Sequence, residues 1–421
     1  MTFLQSLLPF SEIAVDDDIS TDEDSAVTFN VLDNDTDPQD LIVETATIAL
    51  NNPAAGTLTD NGSGSFAYDP SGAFESLSVG ESATVSFDYQ VENAASETSQ
   101  ATVTITIDGV NDSPVVASAG NVSVDEGQTA SNTGTFSDID ASDSVTLSAS
   151  VGNIAPGLYG TWSWSLDTDD GPGESQAVDI TANDGNGGVT QTSFFLTVNN
   201  VAPTSAEIDG PSTGYVGDTV TFTLSATDVS DADQSANFDF LIDWDGNGSV
   251  DQTVTGPSGT TVDHVFLTGG STTVIVNSVD KDGGVTTTPG LHTIALTQRV
   301  TVDVKPGNSQ NKINAKSQAV IPVAIYTTAA FDAATIDGTT VELAGINADH
   351  FALEDVDGDG DLDLILHFDT QSVIDALGID LDSGESVTVD AELTGRTIDN
   401  VFIEGFDTIE FFQPGKGKGR Q

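Results

Sequence analysis

Ser82-Ala83-Thr84-Val85-Ser86-Phe87-Asp88-Tyr89-Gln90-Val91-Glu92 decides how this chain is read. Val85, Phe87, Tyr89 and Val91 fall at every second position with polar residues between them. That is the period of a strand with one buried face. Val27, Phe29 and Val31 alternate in the same way, as do Val103, Ile105 and Ile107. Turn clusters such as Asp60-Asn61-Gly62-Ser63-Gly64 separate the runs. Short strands at this spacing, each with one apolar face, predict a two-sheet sandwich over residues 14–112.

The plan recurs. In residues 113–202, Val145, Leu147, Ala149 and Val151 alternate, then Trp162, Trp164 and Leu166, then Phe194, Leu196 and Val198. Both tryptophans are expected to fill the core; a carbohydrate-stacking platform is the sharper alternative. In residues 203–299, Val220, Phe222 and Leu224 form one run, and Phe238, Phe240, Ile242 and Trp244 another. Asn183-Asp184-Gly185-Asn186-Gly187-Gly188 and Val279-Asp280-Lys281-Asp282-Gly283-Gly284 mark corresponding hairpins. Corresponding motifs lie roughly 100 residues apart, an internal repeat of whole sandwiches rather than a solenoid.

Residues 300–412 differ. Ile321, Val323 and Ile325 face one way around Pro322, which predicts an edge strand. Leu362, Leu364, Leu366 and Phe368 predict a strand with one apolar face, Asp369–Leu377 a short helix stopped by Gly378, and Val387, Val389, Ala391 and Leu393 a further strand. The basic tail 413–421 is expected to be disordered and solvated. Residues 1–13 are apolar but lack a basic n-region and a small-residue cleavage site, so no export signal is read there. They are a candidate pairing strand. The whole chain is thus expected to be all-β, a tandem array of about four β-sandwich domains.

Charge narrows the setting. Asp and Glu total 67 against 9 Lys and Arg, a formal −58 over 421 residues. The first basic residue is Lys281, so residues 1–280 carry no Lys or Arg. Such a surface repels nucleic acid and anionic membranes. Self-repulsion calls for cations or high ionic strength to compensate. No apolar run approaches the ~20 residues of a membrane span. With no Cys, disulfides cannot staple small domains, and metal is the remaining staple. A calcium-rich extracellular medium fits better than the cytosol.

Two loops supply hard-cation ligands. In Asp355-Val356-Asp357-Gly358-Asp359-Gly360-Asp361-Leu362-Asp363, acidic side chains stand at loop positions 1, 3, 5, 7 and 9, with Gly360 at the sharp turn. In Asp243-Trp244-Asp245-Gly246-Asn247-Gly248-Ser249-Val250-Asp251 the spacing repeats, with Asn247 at position 5 and the Ser249 carbonyl at position 7. Calcium takes six to eight oxygens, and alternating Asp side chains on a tight loop supply them. These are not EF-hands, because position 12 of the first is Leu366 where a bidentate Glu is needed. They resemble the nine-residue calcium loops of β-rich extracellular proteins. That resemblance implies Asp355, Asp357, Asp359, the Asp361 carbonyl and Asp363 as ligands. Weaker candidates are Asn111, Asp112, Glu126, Asp138 and Asp140 as an interdomain cation site, and Asp33, Asp35 and Asp37 as another.

Further resemblances rest on longer stretches. Asp22-Glu23-Asp24-Ser25, Val31-Leu32-Asp33-Asn34-Asp35-Thr36-Asp37-Pro38, Ala55-Gly56-Thr57-Leu58, Val79-Gly80-Glu81-Ser82-Ala83-Thr84 and Gly109-Val110-Asn111-Asp112-Ser113-Pro114 resemble bacterial cadherin-like and VCBS repeats. The resemblance implies an extracellular, calcium-rigidified, immunoglobulin/cadherin-like module. Glu92-Asn93-Ala94-Ala95-Ser96 departs from that family's Asp-Gly-Asn-Gly-Gly hairpin. Residues 203–299, and less clearly 113–202, resemble PKD-type immunoglobulin-like domains. The run from Val302-Asp303-Val304-Lys305-Pro306-Gly307 to Glu404-Gly405-Phe406-Asp407 resembles a C-terminal module of bacterial secreted proteins, which implies location more than chemistry.

No catalytic constellation emerges. Gly210-Pro211-Ser212-Thr213-Gly214 fits the nucleophile-elbow pattern but lacks the strand-turn-helix context of that motif. His264, His292, His350 and His367 have no partner at metal-ligand sequence spacing. The expected function is non-catalytic: a calcium-stabilised protein of the extracellular space or cell surface, acting in adhesion, matrix or display. Its expected partners are calcium and either copies of itself or a surface polysaccharide or protein. Two alternatives remain open. One is a calcium-dependent filament subunit that donates residues 1–13 as a strand. The other is an accessory region of a secreted enzyme.

Overall fold

The computed structural model describes residues 14–36, 45–48, 53, 55–92, 97–382 and 384–415. The candidate strand 1–13, Asp37, the hairpin residues 93–96 and the tail beyond Gly415 lie outside these. The chain divides into two compact units, 1–199 and 200–421. Among the described residues it is a β-protein whose α-helices are two short ones, Asp231–Ser235 and Thr370–Ala376.

Unit 1 holds two hydrophobic cores. In the first, the sheet order is Asp17–Asp22, Thr98–Asp108, Ser82–Glu92, Thr45–Ile48. A three-stranded sheet of Val27–Asn30, Ser65–Asp69 and Thr57–Gly62 completes the sandwich. The pleat turns the alternate residues inward, so Phe87 pairs with Val103 and Val85 with Ile105, and Phe66, Tyr68, Phe87 and Tyr89 are buried between the sheets. Asp17–Asp22 runs parallel to the final strand, Thr98–Asp108.

The second core repeats this arrangement, with Val122–Asp125 parallel to Val189–Asn199. Trp162 and Trp164 are each 1% exposed, which removes them as a stacking platform. The Trp164 indole meets Phe194 edge-on with centroids 5.0 Å apart and donates Nε1–H to the Val151 carbonyl at 2.7 Å. Such a partner offsets the cost of burying the indole N–H; the Trp162 Nε1–H, equally buried, has none.

Unit 2 also holds two cores, Phe222, Phe238, Phe240, Ile242 and Trp244 centring one, Val323, Ile325, Leu366, Phe368 and Phe411 the other. The repeat persists: Thr213–Tyr215 is parallel to Gly290–Arg299, and Lys312–Asn314 to Phe402–Phe412. One ten-stranded sheet serves both cores. It is joined where Gln298 and Arg299 pair in parallel with Ile403 and Glu404. Around the seam, Arg299 pairs with Asp218 at 2.8 Å and lies 3.9 Å over the Tyr215 ring. The Tyr215 hydroxyl donates to Glu404 at 2.7 Å.

Two strand expectations are corrected here. Val320–Tyr326 is central, paired with Thr301–Val304 on one side and Asp363–Asp369 on the other. Pro322 is tolerated because the first neighbour ends at Val304: Lys305 N–H donates to the Pro322 carbonyl at 2.7 Å, while the Lys305 carbonyl, which an N–H at position 322 would have met, accepts instead from Asn308 N–H at 3.1 Å. The strand after the Asp-rich loop begins at Asp363, leaving Leu362 51% exposed. Asp363, Leu364, Ile365 and Leu366 are all buried, since neighbouring elements cover both faces. The helix is found at Thr370–Ala376, where the Asp369 carboxylate caps Ser372 N–H.

Candidate metal centres

An enclosed acidic group lies within unit 1, where the chain passes from one core to the next. Glu23 follows the strand Asp17–Asp22, and its Oε1 accepts from the Val110 N–H at 2.8 Å. Asp112 N–H donates to Asp140 Oδ2 at 2.8 Å. Asn111 spans outward, its amide donating to Asp184 at 3.1 Å. These bonds gather Glu23, Asp112 and Asp140, with one carboxylate oxygen of each within 4.8 Å of the others. A second trio, Asp138, Asp143 and Asp184, meets the same criterion.

The electrostatics of the first trio are unbalanced. Glu23 and Asp140 are each 2% exposed. Glu23 Oε2, Asp140 Oδ1 and Asn111 Oδ1 are buried without a hydrogen-bond partner. Burial first, then repulsion from neighbouring carboxylates, pushes the carboxyls of Glu23, Asp112, Asp140 and Glu75 above the ordinary range: Glu75, Asp140 and Asp112 act on Glu23, Asp24 and Asp138 on Asp112, Asp143, Asp112 and Asp138 on Asp140, and Asp112, Asp24 and Asp140 on Glu75. Residues 1–199 contain no Lys, Arg or His to offset them. Buried unpartnered carboxylate oxygens cost free energy unless a cation or proton meets them. The donor set is all oxygen, which suits calcium.

Asp184 is different. Burial pushes its carboxyl up, but the Asn111 amide and the N–H groups of Asn186, Gly188 and Gly187 outweigh this and hold it below the usual range. It organises its hairpin as well as facing Asp138 and Asp143.

The two Asp-rich loops lie in unit 2. Asp243 closes the strand Phe238–Asp243; its Oδ1 accepts from Gly246 and Asn247, and Oδ2 from Gly248 at 2.7 Å. Burial raises its pKa, but these amides outweigh it and hold the carboxyl low. Trp244 N–H donates to Asp251 at 2.8 Å, and Asp243, Asp245 and Asp251 converge within 4.8 Å. Asn247 and Ser249 stand outside that trio; Asn247 Oδ1 accepts from Ser249 N–H and its amide donates to Asp245.

The second loop repeats the geometry, with Val356 N–H on Asp363 at 2.9 Å. Asp355, Asp357 and Asp359 converge and are exposed. Asp363 turns inward, 1% exposed, and also accepts from Thr327 N–H at 2.8 Å. Asp361 donates its N–H to Asp359 at 2.9 Å and stands outside the trio. Gly360 has φ +101° and Gly246 +71°, the left-handed backbone these turns need.

The sequence points to Asn111, Asp112, Glu126, Asp138 and Asp140 at the first junction; the structure brings Asp112 and Asp140 together there, Asp138 beside them with Asp143 and Asp184, and Glu126 elsewhere. Sequence reading misses Glu23, although Asp22-Glu23 and Asp125-Glu126 are visible counterparts after equivalent strands. Glu126 N–H donates to Asn199 O at 3.0 Å, which puts it at the other end of the second sandwich. The histidines, unlinked in sequence, also pair: His350 and His367 stack at 4.2 Å across neighbouring strands, and His264 stacks on Trp244 at 4.1 Å.

Residues 9–106 match the family described as bacterial Ig domain. Among solved structures, the protocadherin gammaB7 EC3-6 cis-dimer is similar at 14% identity and TM-score 0.41, covering 96% of this chain and 100% of that one. Protocadherin gamma B2 extracellular cadherin domains 3-6 are similar at 12% and 0.40, covering 97% and 100%. The PKD domain of an M14-like peptidase from Thermoplasmatales archaeon SCGC AB-540-F20 is similar at 19% and 0.19, covering 23% and 96%. No curated protein matches the chain.

Proposed function

We propose that this chain is a non-catalytic, calcium-stabilised array of immunoglobulin-type sandwiches that works outside the cell in adhesion, matrix building or display. The observation that carries the reading is the trio Glu23, Asp112 and Asp140, in which Glu23 and Asp140 are buried with unpartnered oxygens, in a unit without one basic side chain. Calcium there would tie the end of one sandwich to the start of the next and remove hinge freedom between them. The loops Asp243–Asp251 and Asp355–Asp363 would staple unit 2 in the same way, through Asp243, Asp245, Asn247, the Ser249 carbonyl and Asp251, and through Asp355, Asp357, Asp359, the Asp361 carbonyl and Asp363. Such sites fill only where calcium is near 0.1–1 mM or above, a typical affinity of extracellular modules. The bacterial Ig match over residues 9–106 supports the same setting.

The test is thermal unfolding of the whole chain in calcium and in EDTA, with light scattering on both samples. A melting temperature that rises with calcium supports the reading, and identical melts overturn it. Scattering that grows with calcium would favour self-assembly over a monomeric accessory region.

A further inference from the structure

Asp17 stands at the opposite end of the strand Asp17–Asp22 from Glu23, about 20 Å away at ~3.3 Å per residue. It is 8% exposed, and its Oδ2 has no hydrogen-bond partner. Asp35 reaches the same place from the loop after Val27–Asn30, and its Oδ2 is also buried without a partner. Asp35 Oδ1 accepts from Val15 N–H at 2.8 Å and from the Tyr89 hydroxyl at 3.1 Å. That hydroxyl also lies 2.9 Å from the Val15 carbonyl and 3.2 Å from the Val31 carbonyl.

A phenol has one proton to donate, and here three oxygens compete for it. Asn34 helps only at the rim, donating to the carbonyls of Val15 at 3.2 Å and Asp16 at 3.0 Å. The enclosed space therefore has more acceptors than donors and two carboxylates without a counter-charge.

We propose that Asp17, Asp35 and the carbonyls of Val15 and Val31 bind a calcium ion at this pole of the first sandwich, with the Tyr89 hydroxyl oxygen beside it. Two carboxylates balance a divalent charge. Carboxylate and carbonyl oxygens without nitrogen or sulfur select a hard cation, and the irregular arrangement suits calcium better than the octahedral demand of magnesium. The ion would fasten the segment before the first strand and the loop from Val31 to Asp35 onto the core. Burial above all raises the Asp17 pKa to about 6; the nearby Tyr89 hydroxyl opposes this, and the charges of Asp35, Asp16 and Asp33 add to it. That strain is what a bound cation would relieve.

The experiment counts calcium on the metal-stripped full chain by equilibrium dialysis with radioactive calcium, for wild type, Asp17→Asn and Glu23→Gln, with melts in calcium and EDTA. Asp17→Asn is expected to lose one calcium per chain and part of the calcium-dependent stabilisation, independently of the loss in Glu23→Gln. An unchanged count, with Asp17→Asn melting higher by the same margin in calcium and EDTA, would overturn the proposal: the two carboxyls would then share a proton. If Asp17→Asn does not fold, Asp35→Asn, on the loop, serves the same comparison with the same two outcomes. A wild-type chain that binds calcium while both Asp variants keep the full count refutes this site alone. A wild-type chain that binds none refutes the proposed function as well.

Discussion

Glu23→Gln should change stability differently with and without calcium. The amide oxygen can still accept from Val110 N–H, so the bond at 2.8 Å survives while the charge beside Asp112 and Asp140 is lost. At about 5 mM calcium and a dissociation constant of about 0.1 mM, occupancy stabilises the folded state by RT ln(1 + [L]/Kd), about 2.3 kcal/mol. Losing one of three carboxylates and weakening the site about tenfold leaves about 1.1 kcal/mol. Calcium is therefore expected to stabilise the variant by about 1.3 kcal/mol less than wild type, so its calcium-induced rise in melting temperature is about 3–5 °C smaller for a unit of roughly 200 residues. Glu23 is pushed up by burial, Glu75, Asp140 and Asp112, so in EDTA neutralising it relieves repulsion and the melt should rise. Differential scanning calorimetry of both proteins in both buffers decides the matter. A fall of equal size in calcium and in EDTA would refute the argument, because Glu23 would then be a structural residue with no cation dependence.

Asp243→Ala should behave otherwise, since its carboxylate holds the N–H groups of Gly246, Asn247 and Gly248. Denaturant melts are expected to show a loss of about 2–4 kcal/mol in EDTA as well as in calcium. Lys281 brings its ammonium 3.1 Å from Asp233, whose side chain is fully buried, and also pairs with Asp282. Lys281→Gln leaves that carboxylate without its counter-charge and beside Asp280, whose charge also raises its pKa, and should destabilise by about 2 kcal/mol or more; denaturant melts check this. Burial, then the stacked His350, holds the His367 pKa below its ordinary value. Near pH 6.5 the unfolded chain thus binds more protons than the folded one, so stability is full above that pH and falls as pH drops, by at most about 1.4 kcal/mol per unit. Raised carboxyls such as Asp17, at about 6, contribute the opposite slope in both proteins, so the check is the difference: from about pH 7.5 to 5.5 the wild type should lose stability relative to His367→Asn.

Period-two alternation at Val85–Val91 and its counterparts determined the strands by themselves, because the pleat sends alternate side chains to opposite faces whatever lies beyond. The Asp-rich loops were equally legible, since a carboxylate bonding N–H groups two to five residues on is a local event, as at Asp243. Glu23 was not legible as part of the junction trio. Its partner Val110 is 87 residues away and Asp140 lies 28 from Asp112, and only the parallel pairing of the first strand with the last carries Glu23 to the exit of the chain. The same holds for Asp17 and Tyr89, 72 positions apart yet beside one pole. Pro322 looked like an edge residue because sequence records the missing N–H but not where the neighbouring strand ends. The seam of Gln298 with Ile403 left no local trace either. Backbone period is written residue by residue, whereas which carboxylates share a buried space depends on strand order, and strand order is settled only when whole sheets pack.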